Sequence, residues 1–214
     1  MSDELNIFNI DVVGKFTRPL FFQYCGNVQE INIVFKPLGI CHFLKESFSS
    51  IAPNFSQEYA DAQWKAFAPL LFEEESEELQ ISLLETFLLE NLQAHDLALM
   101  YKAIAYLEDL DDELSIAEIA SLLDMNLKTF QRHFYKHFAC TPSDYRRIVR
   151  FRRSLNSGIL SKDLKKLTAL TYESNYCDQS YFVREYKKLA MLSPRVFFNK
   201  ISALNEHKVI WEIK

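Results

Sequence analysis

The residues beyond position 115 contain one segment twice. Displaced by 52 positions, Asn126 falls on Asp178, Phe130 on Phe182, Arg132 on Arg184, Phe134 on Tyr186, Lys136 on Lys188 and Thr141-Pro142 on Ser193-Pro194. Displaced by 51, Ile119 meets Leu170, Ala120 meets Thr171, Asp124 meets Asn175 and Met125 meets Tyr176. The change of offset by one residue falls in a turn. Apolar, capping and arginine positions repeat together, so this half reads as one supersecondary unit used twice.

Each copy has helical periodicity. In the first, Ser115 and Glu118 form the pattern of a capping box, and Ile116, Ile119, Ala120 and Leu123 follow at i, i+3, i+4 and i+7. Asp124 stands where a tight turn wants a left-handed residue. Asn126 then caps a second helix whose apolar stripe is Leu127, Phe130, Phe134 and Phe138, leaving Lys128, Gln131, Arg132 and Tyr135 outward. The second copy repeats the plan with Leu164, Leu167 and Leu170, a turn at Asn175, a cap at Asp178, and a stripe of Phe182, Tyr186 and Leu189. Its outward positions include Gln179, Ser180, Tyr181 and Arg184. Two helices joined by a short turn, the second with a polar and cationic face, are the parts of a helix-turn-helix. Arg, Gln and Asn side chains suit base edges, and flanking Lys136, Lys188 and Arg146 suit phosphates. Between the copies, Thr141 and Pro142 start a long helix. Arg146, Arg147, Arg150, Arg152 and Arg153 load it and Gly158 offers a stop. Five arginines in eight residues point to an anionic partner, the alternative being a solvated basic helix.

Net charge sharpens this. The chain of 214 residues carries −5 overall. Residues 1–94 hold 5 basic against 14 acidic side chains, net −9, and residues 95–214 hold 19 against 15, net +4. Cut after Asp111, the halves carry −12 and +7. An acidic half joined to a basic half suggests two domains, one of them with an anionic partner.

At these residues the chain resembles the AraC/XylS family of bacterial transcription regulators. The resemblance rests on IAEIASLLDMNLKTFQRHFYKHFACTPSDYRRIVRFR (116–152) and LTALTYESNYCDQSYFVREYKKLAMLSPRVFF (167–198). It implies two helix-turn-helix subdomains joined by a long helix, each placing a recognition helix in one of two successive major grooves of double-stranded promoter DNA. It assigns Lys128, Gln131 and Arg132 to the first recognition set and Gln179, Ser180, Tyr181 and Arg184 to the second, and it implies activation, with RNA polymerase as a further partner. Arg150 matches an arginine of the family's linker helix, in a structural or a DNA-contacting role. Asp124, Asn175, Ala139 and Met191 stand where the family favours glycine, and Thr171 where it favours alanine.

The acidic half reads differently. Residues 10–43 are expected to form strands, with Leu20–Tyr24 and Ile31–Phe35 separated by Gly26-Asn27. From about Ser56 the pattern becomes helical, and Glu73–Glu78 is expected to be a solvated helix start. The segment FKPLGICHFL with the helices after it is similar to the sensory domain of some AraC-type proteins, which implies a small-molecule effector or a homodimer. A helix over 96–107, with Leu97, Met100, Tyr101, Ile104 and Leu107 inward, is assigned to the basic half. The expected fold is therefore an α+β domain over 1–94, a few strands followed by helices. An all-α DNA-binding domain follows over 95–214.

Other chemistry is sparse. His133 and His137 stand at i, i+4 without a third ligand nearby, so they are expected beside the core rather than on a metal. Four isolated glycines make no phosphate loop, and no nucleophile motif occurs. Neither an enzyme nor a cofactor is expected. Cys25, Cys41, Cys140 and Cys177 are scattered and suit reduced, packed thiols. No apolar run nears the ~20 residues of a membrane span, and the first residues resemble no secretory signal, so a cytoplasmic protein without membrane contact is expected. The rival function is a helix-turn-helix module that binds a protein partner rather than DNA.

Overall fold

The computed structural model of the chain describes residues 8–14, 26–52, 56–160, 167–203 and 209–211. Its contacts group into two units. One comprises Met1–Lys15, Asn32–Tyr101 and Arg132–Cys140, and the other Phe16–Ile31, Lys102–Gln131 and Thr141–Lys214.

In the first unit, strand β1 (Asp11–Val13) pairs antiparallel with β2 (Ser56–Glu58), Val12 opposite Gln57. Ser56 therefore opens a strand, not the helix that the periodicity suggests. Ile31–Phe35 is not a strand either, and Val34 is 91% exposed. The apolar content of this segment is used locally, where the Phe35 ring lies 5.3 Å from that of Phe43. Gly39–Phe43 is a 3-10 turn, entered through Leu38 at φ +67°. Leu20–Tyr24 lies outside the described residues.

Helix α1 (Phe48–Ile51) is a single turn. Helix α2 (Ala62–Glu73) begins at Asp61, whose carboxylate accepts from the Gln63 and Trp64 amides. Helix α3 (Glu77–Glu90) begins at Ser76, whose hydroxyl accepts from the Leu79 amide. The acidic run 73–78 is thus the corner between the two helices as well as a helix start. The Gln80 side chain closes it by donating to the Leu71 and Glu74 carbonyls. Phe67 of α2 stacks on Phe87 of α3 at 4.0 Å, with Trp64 edge-on to Phe87 at 4.7 Å.

Helix α4 (Ala98–Glu108) buries Met100, Ala103, Ile104 and Leu107 along one side, and Leu97 just before it is buried too. Tyr101, expected inward, is exposed, because Ala103 continues the stripe in its place. Then come α5 (Ile116–Leu122), α6 (Leu127–Phe138), α7 (Pro142–Leu160), α8 (Leu167–Glu173), α9 (Gln179–Ala190) and α10 (Pro194–Lys200). Phe130, Phe134 and Phe138 of α6 are buried; Leu127, at the first turn, is exposed. The second copy has its own core of Leu170, Tyr176, Phe182, Tyr186 and Phe197. Leu164 lies outside the described residues.

Gly158 does not stop α7, which runs on to Leu160. A Cβ there would come within 2.3 Å of the Phe198 ring, so close packing against α10 is what the glycine permits. After α10 the chain leaves helical structure for a two-stranded pair, β3 (Ile201–Ala203) with β4 (Val209–Trp211). Among the described residues of the basic half, the other regular elements are helices.

Candidate nucleic-acid interface

The repeat seen in the sequence reappears bond by bond in the turns. In α5 the capping box is complete: Ser115 Oγ accepts from the Glu118 amide, and the Glu118 carboxylate accepts from the Ser115 amide. At its end the Asp124 amide donates to the Ser121 carbonyl and the Met125 amide to the Ala120 carbonyl. In the second copy the Asn175 amide donates to the Tyr172 carbonyl and the Tyr176 amide to the Thr171 carbonyl. Asp124 and Asn175 share the left-handed conformation, φ +54° and +57°. The extra residue of the second turn is Cys177. Each second helix is then capped by its Asx side chain. Asn126 Oδ1 accepts from the Thr129 amide at 2.9 Å, and Asp178 Oδ1 from the Tyr181 amide at 2.7 Å. That amide is the main reason the Asp178 carboxyl is held below its usual range. Thr171 fits a buried position because its hydroxyl donates to the Leu167 carbonyl.

With the aromatic stripes turned inward, the opposite faces of α6 and α9 carry the expected polar set. Lys128, Gln131, Arg132, Tyr135 and Lys136 are exposed on α6. On α9, Gln179, Ser180, Arg184 and Lys188 are exposed and Tyr181 is half-buried. The Arg184 guanidinium lies 5.8 Å from the Tyr181 ring centre, a cation–π contact one turn apart that restrains the arginine. Lys188 leans on Glu185 at 3.3 Å but stays 63% exposed. Apart from Tyr181, which packs partly against the core, these positions stay exposed.

The long helix behaves otherwise. Arg146, expected to reach phosphate, is buried, and its Nη1 lies 3.4 Å from Glu113. Burial pulls its guanidinium below the ordinary range, with Glu113 opposing and Arg150 adding to the shift. Arg150 donates to the same Glu113 oxygen. Arg147 spans Glu185 at 2.6 Å and Asp144 at 2.8 Å, and Arg153 meets Asp111 at 2.7 Å. Four of the five arginines thus hold the fold, and Arg152 is the exposed one. The signal that sequence reasoning missed is the acidic set Asp111, Glu113 and Glu185, which supplies these partners.

Two shallow concavities lie on the same faces. One, of about 410 Å³, is lined by Ser49 with Arg132, His133, Tyr135 and Lys136. The other, of about 340 Å³, is lined by Gln179, Ser180 and Val183. His133 is exposed rather than beside the core; His137 is half-buried. Cys41 and Cys140 are buried thiols, whereas Cys177 is exposed; Cys25 lies outside the described residues. Among the described residues no helix is long and apolar enough to cross a membrane.

Residues 119–200, less than half of the chain, match a family model described as a helix-turn-helix domain. No curated protein sequence matches the chain. Among solved structures, the chain is similar to ToxT from Vibrio cholerae. One such structure shows 16% identity and a TM-score of 0.43, covering 69% of this chain and 59% of that one. Another, from the O395 strain, shows 13% identity and a TM-score of 0.44, covering 70% and 62%. The chain therefore spans about three fifths of the length of those proteins.

Proposed function

We propose that the protein is a sequence-specific DNA-binding transcription regulator that reads two successive major grooves, one with α6 and one with α9. The observation that carries the reading is the doubled helix-turn-helix. Both copies bury their aromatic stripe and leave an arginine at the matching outward position, Arg132 and Arg184. Arginine is the side chain best suited to guanine, and Gln131 and Gln179 are suited to adenine. Lys128 and Lys136 are free to take phosphates, and Lys188, 63% exposed, would do so on leaving Glu185, with Tyr135, Ser180 and Tyr181 completing the two faces. We further propose the functional division 1–94 and 95–214. The acidic part would serve a small-molecule effector or a homodimeric contact, and activation through RNA polymerase would be the output.

The test is binding to duplexes selected from a randomised pool. Specific binding should fall log-linearly with salt, with a slope of about −0.9 per phosphate contacted. Arg184→Ala should weaken the selected site by ~1–3 kcal/mol and relax base preference in one half-site. An equal loss on random duplex would remove its base-reading role. A protein that enriches no sequence at low salt would overturn the proposal in favour of a protein-binding module.

A further inference from the structure

Glu113 stands in the segment before α5, yet three groups from other parts of the basic half converge on it. Its Oε1 accepts from Arg146 Nη1 at 3.4 Å and from Arg150, both on α7. Its Oε2 accepts from Asn175 Nδ2 at 3.0 Å. The same Asn175 amide donates its other hydrogen to the Leu110 carbonyl. Asn175 is therefore doing two things. Its backbone makes the left-handed turn of the second helix-turn-helix, at φ +57°, a conformation that glycine or aspartate would also accept. Its side chain spends both amide hydrogens on residues 110–113, more than sixty positions earlier. Asp124 makes the equivalent turn in the first copy at φ +54°, with a side chain that has no N–H to donate to another segment. The two copies thus differ at the turn in the one way that the backbone does not require.

We infer that Asn175, held by Glu113, is a positioning residue: it fixes the second reading unit against the segment that starts the first, and so sets the spacing at which the chain tolerates its two DNA boxes. This rests on the proposed reading for its consequence on DNA, not for the tether itself. A carboxamide is required. Glycine keeps the turn and loses both bonds, and aspartate keeps the turn but has no hydrogen to donate and sets a second carboxylate against Glu113.

The experiment uses the full chain with Asn175→Gly and Asn175→Asp, chosen because the backbone conformation suits both. Duplexes carrying the two boxes selected by the wild type are presented at the selected spacing and with one or two base pairs inserted or removed. Loss of a fixed geometry between linked binding units lowers their joint affinity, so Asn175→Gly should bind the selected duplex about tenfold more weakly and discriminate less against altered spacing. Asn175→Asp should lose more. Affinity for a duplex with a single box should not change, which separates positioning from unfolding. A second readout needs no DNA: spin labels at Ser121→Cys and Lys187→Cys in a Cys177→Ser background. They should give one narrow distance distribution with Asn175 and a broad one with glycine. An unchanged distribution, or an unchanged spacing profile in a chain that does select two boxes, overturns the inference. If the wild type selects no sequence, the DNA-binding reading fails and the spin-label result alone decides the tether.

Discussion

Met191 ends α9 at φ +55° and Ala139 follows α6 at φ +49°, both non-glycine residues in the left-handed region. An L side chain there costs roughly 1–2 kcal/mol, from the clash between Cβ and the next carbonyl. Glycine removes that cost but gives up roughly 0.5–1 kcal/mol in chain entropy. Met191→Gly should therefore gain about 0.5–1 kcal/mol, since the Met191 side chain is 64% exposed and its packing loss is small. Ala139→Gly should gain less, because the methyl is half-buried; its helix-closing bond to the Tyr135 carbonyl is a backbone bond and survives. In urea unfolding the midpoint should rise without a change of slope. In thermal unfolding each kcal/mol corresponds to ~2–4 °C for a chain of this size. Met191→Ala is the control, because it keeps the Cβ and hence the strain. The strain argument is refuted if Met191→Gly is no more stable than Met191→Ala.

Three further outcomes follow from single contacts. Ser115→Ala removes one partner of the capping box of α5 and should cost ~1 kcal/mol in the same urea assay. Gly158→Ala drives a Cβ to within 2.3 Å of the Phe198 ring, and overpacking of that kind should cost ~1–3 kcal/mol, largely recovered by a simultaneous Phe198→Leu. The His137 pKa is lowered, first by burial and then by Lys136, His133 and His95. Its neutral form is the one the fold favours, so stability is fully present above the unfolded value near ~6.5 and falls as the unfolded chain takes up a proton below it. His137→Gln should flatten the stability curve between pH 7 and 5; an unaltered curve would refute the assignment.

How legible the fold was in the sequence depended on how local its causes are. The capping box at Ser115, the Asx caps at Asn126 and Asp178 and the left-handed turns at Asp124 and Asn175 are each decided within four residues, and the structure has them where the pattern put them. The outward face of each second helix was equally legible, because burying Phe130 and Phe134, or Phe182 and Tyr186, leaves their opposite positions no choice. The N-terminal half was legible only in outline, as strands followed by helices. A strand exists only with a partner, and the partner of Asp11–Val13, which lies inside the expected strand region 10–43, is Ser56–Glu58, a stretch with no apolar alternation to announce it. The more strand-like Ile31–Phe35 has no such partner among the described residues.

The arginine-rich helix shows why charge counts mislead about partners. Arg146, Arg150 and Arg153 recur at intervals of four and three and so share one face of α7, the face that meets Glu113 and Asp111. Arg147 on the neighbouring face meets Asp144 and the buried Glu185. A cation whose counter-charge is already in the protein gains little from a phosphate, because it must first surrender that pair, and for a buried guanidinium the surrender leaves a carboxylate uncompensated. Among the described residues, the exposed cations without such a pair include Lys128, Arg132, Lys136 and Arg184 of the recognition faces and Arg152, whereas Lys188 already leans on Glu185. Arg146→Met should accordingly leave the salt slope of DNA binding unchanged, whereas Lys136→Ala should reduce it by about one phosphate contact. If the two variants shift the slope alike, the assignment of the linker arginines to the fold is wrong.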